Sequence, residues 1–220
     1  MKNILILLGA WSSYPSWINT FRWIWSINDN SEIFEYLNID YIKRNKLSSI
    51  KFLKLFKEEF NNKKENYYHE FIKKISESNN INIISQNIDN LDYWLKNVVK
   101  IHWDIFKNKC LNNYRHNVDN KEIGDKCNIC NSYIIPDILY YNEMYNKELL
   151  SKIKILIDNE YDYFIIIWSS LEISFIENIT KKIKTKSKIN INPILELNEY
   201  NNFKTFADFK DSIYFFDMDN

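Results

Sequence analysis

The stretch Gln86-Asn87-Ile88-Asp89-Asn90-Leu91 decides how this chain is interpreted. It comes directly after the apolar run Ile81 to Ile84, and His102 follows it shortly afterwards. A short run rich in isoleucine is typical of a buried parallel strand, and open parallel sheets bind ligands at the carboxyl ends of such strands. An imidazole titrates near neutral pH. The stretch therefore predicts a reaction centre at the end of a buried strand.

A second interpretation of these residues is purely structural. Gln86, Asn87 and Asp89 could cap a helix that starts after the strand, which Asn and Asp do well. Capping explains one such residue better than three. His102 follows the short predicted strand Val98 to Ile101, so it could equally be a satisfied histidine at a strand end.

Similar apolar runs recur along the chain, at Ile4 to Leu8, Tyr163 to Ile167 and Ile189 to Ile191. Between them, apolar residues at three- to four-residue spacing predict helices over Ile50 to Phe60 and over His69 to Ile75. Strands that alternate with helices predict an α/β fold, here a Rossmann-like parallel sheet with helices on both faces.

Small and polar residues follow three of these strands. Gly9-Ala10 follows the first and leads to Thr20-Phe21-Arg22, while Ser169-Ser170 and Asn192 follow the two later ones. A small-residue turn lets backbone amides approach a pyrophosphate, and an arginine adds charge-assisted hydrogen bonds. Such turns are common, however, and ordinary loop polarity explains them as well.

The helical and strand periodicity stops at residues 108–133, where all the cysteines lie. We predict a small cysteine module there, inserted into a large domain formed by residues 1–107 and 134–220. A helical insertion is predicted at about residues 30–78. We expect the whole chain to form one catalytic domain.

The cysteines predict a zinc site with an open question. Cys127 and Cys130, spaced Cys-x-x-Cys, supply half of a tetrahedral site. Cys110 precedes Cys127 with 16 residues between them, but Asn113 stands where its partner cysteine is expected, and asparagine is a poor zinc ligand. Either His116 completes a three-cysteine, one-histidine site, or the metal is held weakly or lost.

Charge and hydropathy limit the other function classes. The 29 basic residues balance 29 acidic ones, so the chain has no overall attraction for nucleic acid or an anionic membrane. A nucleic-acid-binding cysteine module would need a basic stripe at Lys107, Lys109, Arg115 and Lys121, which acidic neighbours dilute. No window approaches the roughly 18 apolar residues of a spanning helix. We expect a monomeric, cytoplasmic chain with no membrane or nucleic-acid partner.

Taken in order, these motifs resemble those of the sirtuins, a family of NAD-dependent protein deacylases. The stretch Gln86 to Leu91 matches the family's Gln-Asn-Ile-Asp-Asn-Leu core completely, and Gly9 to Arg22 fits the frame of its Gly-Ala-Gly-Ile-Ser and Pro-Thr-Phe-Arg segments without a gap. Further matches are Ile101-His102, Asn66 to His69, Cys127 to Cys130, Pro136-Asp137 and Glu143-Met144. The match extends to about Pro193, and Ser212 to Phe216 is a candidate for the last strand.

The resemblance implies a protein-lysine deacetylase or deacylase that transfers the acyl group of lysine to ADP-ribose and releases nicotinamide. NAD would be the co-substrate, zinc a structural ion, and an acylated-lysine protein or peptide the partner. His102 would be the catalytic base. The implied NAD-binding residues are Gly9, Ala10, Ser13, Thr20, Phe21, Arg22, Gln86, Asn87, Asp89, Ser169, Ser170 and Asn192, and the implied metal ligands are Cys110, Cys127 and Cys130.

The chain departs from the family mainly at glycines. Trp11, Trp103, Asn142 and Trp168 stand at family glycine positions, and an indole can fill space that a dinucleotide needs or resist the required φ. Two hypotheses follow: an altered NAD enzyme survives, or the pocket is lost and the fold persists as a binding module. An ADP-ribosyltransferase or NADase is a further alternative.

Acyl preference also has a signal in the family. Sirtuins that prefer succinyl or malonyl lysine carry a Tyr-x-x-Arg pair, and Leu53 and Phe56 occupy the nearest positions here. We therefore expect a neutral acyl group, either acetyl or longer.

Overall fold

A computed structural model describes residues 1–18, 31–169, 171, 173–192 and 203–206. Over these residues a parallel sheet has six strands in the order β3-β2-β1-β6-β7-β8, and β4 pairs with β5 in a separate antiparallel ribbon. The strands are β1 (Asn3–Leu8), β2 (Asn80–Ser85), β3 (Val98–Lys100), β4 (Trp103–Cys110), β5 (Ile134–Ile138), β6 (Glu160–Ile167), β7 (Lys184–Ile191) and β8 (Phe203–Phe206).

The helices lie between the strands, as the periodicity predicted. A 3₁₀ helix (Ala10–Ser16) follows β1. The α-helices are α1 (Ser31–Tyr36), α2 (Ile39–Arg44), α3 (Lys46–Glu58), α4 (Tyr67–Ser76), α5 (Lys147–Asp158) and α6 (Ser174–Lys182). Among the described residues, no helix is long and apolar enough to span a bilayer.

The central strand β1 is buried on both faces. Leu5 and Leu7 pack with α5 and α6 on one face, while Ile4, Ile6 and Leu8 pack with α4 on the other. Alternate side chains of a strand point to opposite faces, so a strand covered on both sides must be apolar throughout. The predicted α/β fold with helices on both faces is thus confirmed.

A separate apolar cluster joins the helices α1 to α3 to the β4–β5 ribbon. Leu53 of α3 packs there with Ile105 of β4 and with Ile135 and Ile138 of β5. The helix α4, which the sequence analysis placed in the same helical insertion, packs on the sheet instead through Phe71 and Ile72. The cysteine module predicted at residues 108–133 extends from the end of β4 to the start of β5. It is therefore attached to the ribbon rather than to the sheet.

Strand register determines where the loops meet. Leu8 of β1 pairs with Ser85 of β2 on one side and with Ile167 of β6 on the other. The chain passes from β1 to β2 in one direction, whereas β6 and β7 extend in the other. The carboxyl ends of β1 and β6 therefore form a topological switch point, the place where open α/β sheets bind ligands. The candidate strand Ser212 to Phe216 lies outside the described residues.

Candidate functional site

His102 lies just beyond β3, beside the carboxyl end of β2. Its Nδ1 is 2.8 Å from the backbone oxygen of Gln86. Because a carbonyl oxygen only accepts hydrogen bonds, Nδ1 must carry the proton, which leaves the lone pair on Nε2. Burial lowers the pKa of His102, and the Gln86 contact opposes this shift only in part. The imidazole is therefore held neutral, with Nε2 able to accept a proton.

Asn87 and Asp89 form one buried network with the 3₁₀ helix. The Nδ2 of Asn87 donates to Ser12 Oγ at 3.0 Å and to Ser13 Oγ at 2.9 Å. Ser13 Oγ in turn donates to Asp89 Oδ2 at 2.7 Å, and Ser12 Oγ donates to Gly9 O at 2.8 Å. Asn87 Oδ1 is buried and has no hydrogen-bond partner among the described residues. An unpaired buried acceptor is costly, and a ligand donor would satisfy it.

A second network joins the ends of β2, β6 and β7. Ser169 Oγ donates to Gln86 Oε1 at 2.6 Å, and Asn192 Nδ2 donates to the backbone oxygen of Ser169 at 3.4 Å. All of these side chains are buried. Residues more than 80 positions apart in the chain are thus held in one place by hydrogen bonds.

Gly9 is required by a close backbone approach rather than by its φ. Its φ of −88° is accessible to any residue. A Cβ at this position, however, would lie 2.1 Å from the backbone oxygen of Trp168. Ala10 begins the 3₁₀ helix beside it. Four predicted NAD-binding residues, Thr20, Phe21, Arg22 and Ser170, lie outside the described residues.

Asn66 and His69 support the site and were not assigned roles from the sequence. Asn66 caps α4 in a capping box with His69, whose Nδ1 accepts from Asn66 N at 3.2 Å. Asn66 Nδ2 also donates to Ser12 O at 2.8 Å and to Ser16 Oγ at 2.9 Å. Burial lowers the pKa of His69, with the Asp89 charge opposing. The Asn-x-x-His spacing at a helix start signals the cap, but the contact with the 3₁₀ helix has no local signal.

Three of the four residues at family glycine positions adopt left-handed backbone conformations. The φ values are 51° at Trp168, 60° at Trp103 and 65° at Asn142, whereas Trp11 lies in the 3₁₀ helix without a positive φ. A left-handed conformation costs an L-residue roughly 1–2 kcal/mol. The loops have therefore kept the turn geometry that glycine favours, and the side chains must compensate through contacts.

Lys109 provides that compensation for Trp103. Its Nζ lies 4.5 Å from the Trp103 ring centroid and 5.1 Å from that of Tyr140. The same ammonium donates to both carboxylate oxygens of Glu143, at 2.7 and 2.8 Å, and to Ile138 O at 2.8 Å. Lys109 is buried, and burial lowers its pKa while Glu143 opposes that shift. The lysine thus ties the residue after His102 to β5 and to the following loop.

The cysteine segment forms a cluster with metal-ligand geometry. Ligand atoms of Cys110, His116, Cys127 and Cys130 all lie within 4.8 Å of one another. Cys110 Sγ is 3.4 Å from Cys130 Sγ, and Cys127 Sγ is 3.5 Å from His116 Nδ1. A tetrahedral ion with zinc–sulfur bonds of about 2.3 Å requires donor separations of this size. The structure thus brings the His116 imidazole next to the three thiols, as the first of the two alternatives requires.

The turn after Cys110 explains how His116 reaches the cluster. Asn113 O accepts from His116 N at 3.1 Å, and Asn113 Oδ1 accepts from Arg115 N at 3.0 Å. Asn113 therefore forms a turn that directs the chain back towards the thiols. Burial alone would raise the pKa of the Cys127 thiol, but amide donors from Ile129 and Cys130 and the His116 contact outweigh it and lower the pKa to about 6. A thiolate at that position suits a metal ion.

Comparisons with known proteins find relatives of this chain. The sequence model of the Sir2 family matches residues 9–174. The NAD-dependent protein deacetylase of Clostridium tetani is 26% identical over 206 residues, covering 87% of this chain and 82% of that protein. The NAD-dependent protein deacylase of Campylobacter jejuni is 31% identical over 115 residues, covering 50% of this chain and 49% of that protein.

Solved structures share the fold. A Sir2 homologue in complex with NAD has a TM-score of 0.75 at 20% identity, covering 93% of this chain and 83% of that one. A Sir2 protein bound to a propionylated peptide has a TM-score of 0.72 at 19% identity, with coverages of 93% and 86%.

Proposed function

This chain belongs to the Sir2 family, and we propose that it is an NAD-dependent protein-lysine deacylase that transfers the acyl group to ADP-ribose and releases nicotinamide. The observation that carries the proposal is the tautomer of His102. Its Nδ1–H is fixed by the Gln86 carbonyl at 2.8 Å, so that Nε2 is available as a base. The neighbouring buried amide, hydroxyl and carboxylate groups support a polar ligand beside it.

NAD, when bound, would supply an electrophilic ribose carbon for the acyl oxygen of the substrate. The task of His102 is then to take a proton at Nε2 from a hydroxyl within hydrogen-bond reach, as a general base does. A lowered pKa keeps the imidazole in its basic form at neutral pH. The Gln86 carbonyl then stabilises the imidazolium that forms, because it already accepts from Nδ1.

The other buried groups would hold the nicotinamide and ribose end. Asn87 Oδ1, which lacks a partner among the described residues, suits the N–H of a carboxamide. Ser13, which itself donates to Asp89, accepts from Asn87 Nδ2 and so holds the Asn87 amide in place. Gln86 and Ser169 offer an amide and a hydroxyl for ribose oxygens. These residues fit the nicotinamide-ribose half of NAD.

The cysteine cluster would hold a structural zinc ion. Three thiols and one imidazole without an open position are typical of a structural rather than a catalytic site. The ion would tie the segment after β4 to the segment before β5 and so stabilise the ribbon that carries Lys109. We expect no direct part for it in the reaction.

The proposed substrate is a protein or peptide with a neutral acyl-lysine. An extended peptide would bind between the sheet and the ribbon as an added strand. At the positions where sirtuins specific for acidic acyl groups carry Tyr and Arg, this chain has Leu53, which is fully buried in an apolar cluster, and Phe56, which packs against it. No cation for an acyl carboxylate stands at these positions.

The proposal is tested by removal of acetyl from a lysine peptide, followed by mass spectrometry with and without NAD. We expect NAD-dependent deacetylation by the native chain and a loss of about 100-fold or more in His102→Ala, the range of one general base. The exposed Lys152→Ala on α5 is the control and should match the native chain. Deacetylation at equal rates in the native chain and His102→Ala would refute the role of His102. Absence of activity in both would favour a non-catalytic binding module.

A further inference from the structure

The switch point between β1 and β6 is occupied by two tryptophans. Trp11 follows β1 and Trp168 follows β6, and their rings stack with centroids 6.2 Å apart and planes 25° apart. In an open parallel sheet, the pyrophosphate of a dinucleotide lies across the carboxyl ends of the strands at this point. Two indoles therefore stand where a polyanion would be expected.

The tryptophan pair is held by further contacts on both sides. The Trp168 ring meets the Tyr68 ring edge-on at 5.8 Å, and its Nε1 donates to the Tyr68 hydroxyl. The Trp11 ring lies 5.6 Å from that of Tyr14. The indole N–H of Trp168 therefore already donates to Tyr68 and is not available to a phosphate oxygen.

The two turns that carry these indoles pack against each other through their backbones. Gly9 N donates to Ile167 O at 2.8 Å, and the backbone oxygen of Trp168 lies 2.1 Å from where a Cβ of Gly9 would be. The two turns are in backbone contact, so a phosphate cannot pass between them. A phosphate at the carboxyl ends of β1 and β6 would therefore lie against the stacked rings of Trp11 and Trp168.

The residues proposed for the nicotinamide-ribose half of NAD are polar rather than aromatic. They make hydrogen bonds of their own and take no part in the ring contacts of Trp11 and Trp168 described above; they are Gln86, Asn87, Asp89 and His102. The two halves of NAD would therefore meet unequal environments. One half fits buried hydrogen-bonding groups, whereas the other half meets a stacked aromatic pair.

We propose that Trp11 and Trp168 are specificity-determining residues that set the affinity for the dinucleotide. The stacked pair reduces the binding free energy that the pyrophosphate and adenylate half of NAD would otherwise contribute. Affinity then comes mainly from the nicotinamide-ribose half. This inference rests on the proposed function and concerns how strongly, rather than whether, the co-substrate binds.

Calorimetric titration with NAD and with nicotinamide mononucleotide, which lacks the adenylate half, tests the proposal. The native chain should bind the two ligands with Kd values within about threefold of each other. The double variant Trp11→Gly/Trp168→Gly should bind NAD about tenfold more tightly, which corresponds to about 1.4 kcal/mol, while its Kd for the mononucleotide changes by less than about threefold. Thermal unfolding checks that the variant is folded.

Trp17→Gly is the matched control. Trp17 also has a positive φ, of 61°, and lies at the end of the same 3₁₀ helix, but its side chain is 85% exposed. Its removal should leave both Kd values unchanged. The inference is wrong, and the proposed function stands, if the native chain binds NAD and the double variant binds it no more tightly. The same holds if the double variant binds the mononucleotide more tightly by the same factor as NAD. If neither the native chain nor the double variant binds NAD, both are wrong.

Discussion

Lys109→Met is expected to destabilise the protein by about 3 kcal/mol. The side chain of Lys109 is 3% exposed, and its ammonium lies 2.7 Å from Glu143 Oε1 and makes cation–π contacts with the rings of Trp103 and Tyr140. Removing one partner of a buried pair costs about 3–5 kcal/mol because the other charge is left without compensation. We expect the lower end of that range, since the Glu143 side chain is 22% exposed and can recover some hydration.

Urea unfolding followed by circular dichroism, with zinc present throughout, measures this loss. The double variant Lys109→Met/Glu143→Gln removes the nearer of the two carboxylates that lose their cation, the other being Asp137 at 3.8 Å, and should recover at least about 1 kcal/mol relative to Lys109→Met. Lys186→Met is the control, because Lys186 also makes an ion pair, with Asp162 at 2.6 Å, but is 81% exposed. That control should lose much less stability than Lys109→Met, because an exposed ion pair contributes little. Equal losses in Lys109→Met and Lys186→Met would refute the view that Lys109 anchors the loop around His102.

Three further predictions concern the base, the first turn and the metal cluster. Because burial lowers the pKa of His102, Nε2 stays unprotonated to a lower pH than in a free imidazole. The acidic limb of the profile of kcat/KM against pH should therefore have its midpoint below about pH 6.5. A midpoint above that pH would contradict this prediction. Gly9→Ala places a methyl against the Trp168 backbone oxygen and should lower the free energy of unfolding by about 3 kcal/mol, measured in urea. His116→Ala should lose zinc on dialysis against a weak chelator, whereas Asn113→Ala should retain it; the reverse order would exclude His116 as the fourth ligand.

The sheet could be predicted from the sequence because its signal is local. Apolar runs such as Ile4 to Leu8 are continuous where a strand is covered on both faces, and the structure places β1 and its neighbours there. The strand β4, from Trp103 to Cys110, was not predicted. It belongs to a ribbon in which only some side chains are buried, and it contains the buried Lys109, so neither a continuous nor an alternating apolar pattern is present.

The supporting contacts of the site could not be predicted, because they join distant parts of the chain. Ser13 and Asp89 are 76 residues apart, and Asn66 lies 54 residues from Ser12. No local spacing encodes such pairs. The backbone of Trp103 shows a related limit: its left-handed φ is unusual for a bulky residue, and only the Lys109 contact makes it understandable.

The most direct test of the central claim measures nicotinamide and deacetylated peptide together, in one reaction of the native chain with NAD and an acetyl-lysine peptide. A protein-lysine deacylase should produce the two in equal amounts and should release nicotinamide only when the acetylated peptide is present. Nicotinamide release that proceeds equally well with the unacetylated peptide would show an NADase or ADP-ribosyltransferase and contradict the account.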